Sequence, residues 1–340
     1  MNELKAYLKG IATYLPDKKL TNEDLANEYP DWDVAKIYDK TGISVRSIAS
    51  KDETAGDLAF RAAEKLFEKC ICKRDEVEFL ILCTQSPDYF LPTTACVLQN
   101  RLNLPTSCGA LDINLGCSGF IYGLSLAKGL IETGTAKNVL LITSETYSKY
   151  LHQSDRSVRT IFGDGAAASF ISSKICDEDL IGPFVLGTDG SGAEELIVRQ
   201  GGHRIPSPSS GTTENVSENA PSPGHLYMGG PEIFNFTLRV VPAAVKELLQ
   251  KTDNTLDTID YFVFHQANKF MLDRLRKKIG IPENKFCFNC SDYGNTVSAT
   301  IPMALDLEIE KRTIKTGDTV MIVGFGVGLS WGATLIKINS

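Results

Sequence analysis

The stretch whose reading decides the fold is residues 110–131, ALDINLGCSGFIYGLSLAKGLI. ALDINL has the apolar character of a strand, and Phe120, Leu124, Ala127 and Leu130 recur at helical spacing. Between the two runs stands Gly116-Cys117-Ser118-Gly119. The glycines permit a tight turn and a close backbone approach. A helix N-terminus offers unpaired N–H donors and a partial positive charge, both of which favour thiolate. Placed there, Cys117 reads as a nucleophile, the alternative being a buried structural thiol.

Outward from this joint, apolar runs of strand length alternate with amphipathic stretches: 78–83, 138–143, 166–172, 261–265, 319–325 and 333–338. The alternation predicts an α/β protein with buried strands. The order of elements is written twice. DEVEFLILCTQS resembles LDTIDYFVFHQA, CGALDINLGCSG resembles KFCFNCSDYGNT, TAKNVLLIT resembles TGDTVMIVG, and GDGAAASFI resembles SWGATLIKI. The first three recur at an offset of about 180 positions. A duplicated unit follows as an expectation, with halves at 1–178 and 179–340. Residues 201–226, rich in Pro, Ser and Gly, read as a long surface loop.

The net charge of −7 argues against nucleic-acid binding, which shows as a basic field. No apolar run reaches about 18 residues, and MNELKAYLKG lacks a signal-peptide core, so no membrane contact and a cytoplasmic location are expected. The 9 cysteines are odd in number and mostly in apolar surroundings, as reduced thiols would be. Cys287-x-x-Cys290 has half a zinc site's spacing with no second pair, so no metal is expected.

Under the repeat, Asn295 takes the place of Cys117, and His265 ends a strand whose counterpart ends at Cys83-Thr84. Equivalent strand ends converge on one site when such halves pack about a pseudo-twofold axis, which would bring Cys117, His265 and Asn295 together. Taken singly, Asn295 in Asp-Tyr-Gly-Asn-Thr also reads as a turn residue. The glycine-rich turn 323–332 lacks GxGxxG order before a helix and suits bare N–H groups for an oxyanion.

These pieces together resemble the thiolase-fold condensing enzymes, most closely the β-ketoacyl-acyl-carrier-protein synthase III family, over essentially the whole chain. The markers are Thr41-Gly-Ile-x-x-Arg46 with Ile48-Ala49, the Cys117 elbow, Phe162-Gly-Asp-Gly-Ala166, His265-Gln-Ala-Asn268, Gly294-Asn-Thr296, and Phe325-Gly-x-Gly328 with Trp331-Gly332. The resemblance implies two similar halves stacked as a five-layered αβαβα sandwich, usually in a homodimer. It implies a ping-pong reaction without metal or redox cofactor. Cys117 would take an acyl group from acyl-CoA. Malonyl-acyl-carrier-protein would lose CO₂, and its carbanion would attack that thioester, initiating type II fatty acid synthesis. His265 and Asn295 would hold the malonyl thioester carbonyl, and the N–H groups of Cys117 and of Gly326, Val327 and Gly328 the other oxyanion.

The same resemblance places Arg46, Arg156 and Asn268 along the acyl-CoA arm, and Leu91 of the neighbouring subunit at the far end of the acyl pocket. Lys269-Phe-Met-Leu-Asp-Arg-Leu-Arg-Lys-Lys278 is basic in an acidic chain. At helical spacing Arg274, Lys277 and Lys278 share a face. This reads as a solvated helix or as a docking patch for acidic acyl carrier protein, with Gln266, Ala267 and Lys269 beside it. The chain departs from the family at Lys36, where a Trp commonly stacks on adenine (Trp32 lies four residues earlier), and at Pro231, which replaces a pantetheine-contacting Asn. These departures bear on the primer and its carrier. The alternatives are a paralogue serving a specialised acyl or polyketide pathway, an acyltransferase without elongation, and a non-catalytic partner subunit.

Overall fold

The computed structural model describes residues 3–207 and 222–339. The chain opens with strand β1 (Glu3–Tyr14), the short β2 (Lys19–Thr21), helices α1 (Asn22–Glu28) and α2 (Val34–Thr41), and the short β3 (Val45–Ser47). Then come α3 (Ala55–Glu68), β4 (Phe79–Cys83), α4 (Thr94–Arg101), β5 (Gly109–Ile113), α5 (Gly119–Glu132), β6 (Asn138–Glu145), α6 (Arg156–Arg159) and β7 (Gly165–Cys176). The rest comprises β8 (Ile181–Thr188), β9 (Leu196–Ile197), β10 (Tyr227–Met228), α7 (Gly230–Lys251), β11 (Tyr261–Phe264), α8 (Lys269–Ile279), α9 (Thr300–Glu310), β12 (Thr319–Gly326) and β13 (Ser330–Lys337).

All the apolar runs expected as strands are strands. The first sheet runs β1-β7-β6-β4-β5, antiparallel across β1, β7 and β6 and parallel across β6, β4 and β5. The second runs β8-β13-β12-β11, antiparallel across β8, β13 and β12 and parallel across β12 and β11. Order and direction therefore repeat. The counterpart of β5 is only a single parallel bridge between Phe262 and Phe286, after which the chain turns into a short 3-10 helix at Cys290–Asp292.

Helix α5 packs between the two sheets, against β1, β4, β6 and β7 on one side and β8, β12 and β13 on the other. Helix α9 lies beside it, touching β1, β7, β11 and β12. Helices α3 and α4 cover the outer face of the first sheet, and α7, with α8 packed on it, covers that of the second. This is the αβαβα sandwich. Phe120, Ile121, Leu124, Ala127 and Ile131 of α5 are 0% exposed, so the helix buries its apolar residues between the sheets. Each such large side chain contributes roughly 1.5–3 kcal/mol of burial. Polar ends are capped where helices meet solvent. Thr54 and Asp57 form a reciprocal capping box on α3, and Gly42, at φ +67°, ends α2 in the left-handed conformation.

No helix of the described residues is long and apolar enough to cross a membrane. The expected loop is irregular at 201–207 and 222–226, and residues 208–221 lie outside those described.

Candidate active site

Cys117, His265 and Asn295 line one cavity of about 360 Å³. Each arrives by a different element. Cys117 sits two residues before α5, at the end of the turn that follows β5. His265 follows β11, its N–H still bonded to Val323 O at 2.7 Å. Asn295 stands in the loop before α9, held at both backbone ends by the first half: its N–H donates to Ile161 O (2.9 Å) and its carbonyl accepts from Gly163 N–H (3.0 Å).

The Cys117 turn is braced from the second half. Ser118 Oγ and Ser330 Oγ lie 2.7 Å apart, and Ser330 Oγ donates to Val327 O at 2.8 Å. Of the glycine-rich turn, Gly326 lines the cavity, Val327 packs beside Gly116, and Gly328 is exposed. Of the three residues of the oxyanion expectation, Gly326 alone lines the cavity.

Burial dominates the electrostatics. It pushes the Cys117 thiol upward, the Glu145 carboxylate adds to the shift, and the Cys117 backbone N–H opposes it. The helix N-terminus therefore does not by itself make a resting thiolate. Burial also pulls His265 down to about 3, so its ring is neutral. His265 Nδ1 lies 2.7 Å from Thr300 Oγ1, and Phe325 meets the ring edge-on with centroids 5.4 Å apart. Asn295 Oδ1 accepts from Val297 N–H at 2.9 Å, which turns Nδ2 toward His265 Nε2, 3.5 Å away. Val297 takes φ +55°, a strained conformation for a β-branched residue, and does so in the turn that aims this amide.

Glu145 lies fully buried at the end of β6. It accepts from Ser298 Oγ (2.8 Å), Gln85 N–H (3.0 Å) and Ser86 Oγ (3.1 Å), and burial raises it to about 8. It joins the ends of β4 and β6 to the loop that carries Asn295. Ser118, Glu145, Ser298, Thr300 and Ser330 were all missed by sequence reasoning. Their partners are distant in the chain, and each alone is an ordinary polar residue.

A second cavity, of about 690 Å³, opens beside the first and shares Ile161, Asn268 and Phe270 with it. Trp32, Lys36 and Arg156 line it. Trp32 therefore does reach this site. Its ring stacks on Tyr29 at 4.7 Å and carries the Arg156 guanidinium at 4.9 Å. Asn268 caps α8 through Oδ1 (Met271 N–H, 2.9 Å) and faces both cavities. Pro231, in the first turn of α7, lines the inner one.

Three expectations need correction. Arg46 is 0% exposed and lines neither cavity; its guanidinium donates to Asn22 Oδ1 at 2.5 and 2.6 Å, and its stem packs against Gly294. Gln266 is also 0% exposed, its amide spent on Phe264 O (2.7 Å) and Asn289 N–H (3.0 Å), so it presents nothing to a partner. Ala267 faces the inner cavity instead of the surface. Lys269, Arg274, Lys277 and Lys278 are exposed on α8. Leu91 is 82% exposed, outside its own chain's cavity. The Gly163-Asp164 motif is a clamp: Asp164 accepts from Ala49 N–H (2.7 Å), Ser148 N–H (2.9 Å) and Ser148 Oγ (2.5 Å).

Two family profiles match, 3-oxoacyl-[acyl-carrier-protein (ACP)] synthase III at residues 111–190 and its C-terminal counterpart at residues 249–338. The chain is 39% identical over 334 residues to the β-ketoacyl-[acyl-carrier-protein] synthase III of Clostridium perfringens, covering 98% of this chain and 99% of that one. It is 36% identical over 335 residues to that of Caldanaerobacter subterraneus, covering 98% of each. A crystal structure of a 3-oxoacyl-(acyl-carrier-protein) synthase III superposes with a TM-score of 0.94 at 52% identity, over 98% of this chain and 100% of that chain. Fold, motif order and full-length similarity agree: the chain belongs to the β-ketoacyl-[acyl-carrier-protein] synthase III family of thiolase-fold acyltransferases.

Proposed function

We propose that the chain condenses an acyl-CoA primer with malonyl-acyl-carrier-protein, with loss of CO₂, to give a 3-oxoacyl-acyl-carrier-protein, the initiating step of type II fatty acid synthesis. The observation that carries this reading is the meeting of Cys117, His265 and Asn295 in one cavity that opens into a second, wider one. A non-catalytic subunit would have no use for that set.

In the first half-reaction, Cys117 Sγ forms a bond to the acyl carbon and the C–S bond to CoA breaks. The thiol proton ends on the CoA sulfur. In the second, the malonyl carboxylate leaves as CO₂ and its electron pair attacks the acyl thioester, releasing Cys117. His265 and Asn295 stabilise the enolate oxygen of the malonyl thioester as hydrogen-bond donors. A donor of this kind is worth about 3 kcal/mol of barrier. The Cys117 N–H and the Gly326 backbone serve the acyl oxyanion. The cationic face of Arg274, Lys277 and Lys278 suits an acidic carrier protein.

The protein is read as two duplicated halves, 1–178 and 179–340, and as a cytoplasmic homodimer. Tyr89, Phe90 and Leu91 are 60, 84 and 82% exposed, an apolar tip that a second copy would cover while closing its acyl pocket. Nine unpaired thiols accord with a reducing compartment. The test is mass detection of 3-oxoacyl-carrier-protein from acyl-CoA and malonyl-carrier-protein. Product with the native chain and none with Cys117→Ala is expected; no product over a panel of primers contradicts the reading.

A further inference from the structure

Thr300, the first residue of α9, is 0% exposed and touches the ring of His265 from the side away from Asn295. Its Oγ1 lies 2.7 Å from His265 Nδ1 and 3.0 Å from Val297 O. A hydroxyl has one hydrogen, and these two groups compete for it. A hydrogen given to Val297 O obliges Nδ1 to donate to Thr300 and leaves Nε2 bare. A hydrogen given to Nδ1 puts the ring hydrogen on Nε2.

Thr300 Oγ1 is the group set against Nδ1, so the direction of that one bond fixes the ring tautomer. Asn295 Oδ1 accepts from Val297 N–H, which turns Nδ2 toward both His265 Nε2 and Ala267 O, each at 3.5 Å. Asn295 therefore meets His265 with donor hydrogens only. An oxygen between the two side chains takes a hydrogen from Nε2 as well only when Nδ1 accepts the Thr300 hydroxyl hydrogen.

We propose that Thr300 is a positioning residue that donates its hydroxyl hydrogen to His265 Nδ1 and fixes the Nε2–H tautomer, so that His265 and Asn295 aim two hydrogens at one carbonyl oxygen. The oxygen and the need for an Nε2 donor rest on the proposed function; the contact of Thr300 with Nδ1 does not. Because burial keeps the ring neutral, the tautomer, and not the charge, decides whether Nε2 can donate.

The chain has 4 histidines, so ¹⁵N-histidine spectra of the whole resting enzyme can resolve His265, identified by its loss in His265→Ala. The native enzyme and Thr300→Ser should show Nε2–H with Nδ1 as acceptor, and Thr300→Val should lose that pattern. In Thr300→Val, kcat for condensation should fall about a hundredfold, with KM for the primer and acylation of Cys117 unchanged. An Nδ1–H pattern in the native enzyme overturns the proposal, whether or not Thr300→Val folds. So does a Thr300→Val variant with native spectrum and native kcat. An Nε2–H spectrum from an enzyme that condenses nothing would overturn the proposed function and leave the tautomer standing.

Discussion

Gly326 lies against Cys117 so closely that a Cβ placed on it would sit 2.9 Å from Cys117 Cβ and 3.0 Å from Sγ. No ordinary van der Waals contact is that short, so the absence of a side chain at 326 is what lets β12 end on the nucleophile. Gly326→Ala is expected to push Cys117 out of line and cost about a hundredfold in acylation rate. Stopped-flow acylation beside a melting curve checks this. A normal rate would remove Gly326 from the site.

His265→Ala and Asn295→Ala should each lower condensation by about 10²–10³ while leaving Cys117 acylation near native. The double variant should cost little more than either single one, because both serve the same oxygen. Single-turnover assays of each half-reaction measure this. Loss of acylation in either folded variant would assign that residue to nucleophile activation.

Glu145 carries a pH signature. Its carboxyl is raised from 4.5 to about 8, chiefly by burial. Across that window the folded chain holds a proton that the unfolded chain has released, so this group's contribution to stability falls as pH rises. Glu145→Gln abolishes that slope, and its Tm relative to the native protein should rise from about pH 5 to about pH 8. Removing the nearby negative charge should also move the alkylation profile of Cys117 toward lower pH. A constant Tm difference and an unmoved profile would contradict both.

Reversing Arg274, Lys277 and Lys278 to Glu should raise KM for malonyl-carrier-protein at low salt and flatten its salt dependence. Acylation from a CoA thioester should stay within about twofold, since exposed charges far from the chemistry act mainly on encounter. Equal losses in both half-reactions would make α8 purely structural. Gln266 belongs to no such test, because its amide is consumed inside the protein.

What was legible in the chain was whatever periodicity and punctuation carry. The strands, α5 and the Cys117 joint follow from apolar runs broken by glycine, and the repeat brought His265 and Asn295 to the same place as Cys117. Arg46 illustrates what was not legible. A buried guanidinium that donates to Asn22 Oδ1 looks in sequence like any arginine, and its Thr-Gly-Ile context said nothing of depth. Thr300 and Glu145 were invisible for a related reason: their roles depend on hydrogen bonds across 35 and 153 residues, which no local spacing encodes. Whether Trp32 reaches the cavity was not legible either, because distance along a loop does not measure distance in space.

The central claim is that Cys117 alone, among 9 free cysteines, carries the acyl group. Intact-mass spectrometry of the chain after exposure to a panel of acyl-CoA thioesters, followed by peptide mapping, tests it most directly. One acyl adduct on Cys117, absent from Cys117→Ala and discharged by malonyl-carrier-protein, is the expected result. An adduct on another cysteine that malonyl-carrier-protein discharges, or elongation by Cys117→Ala, would contradict it.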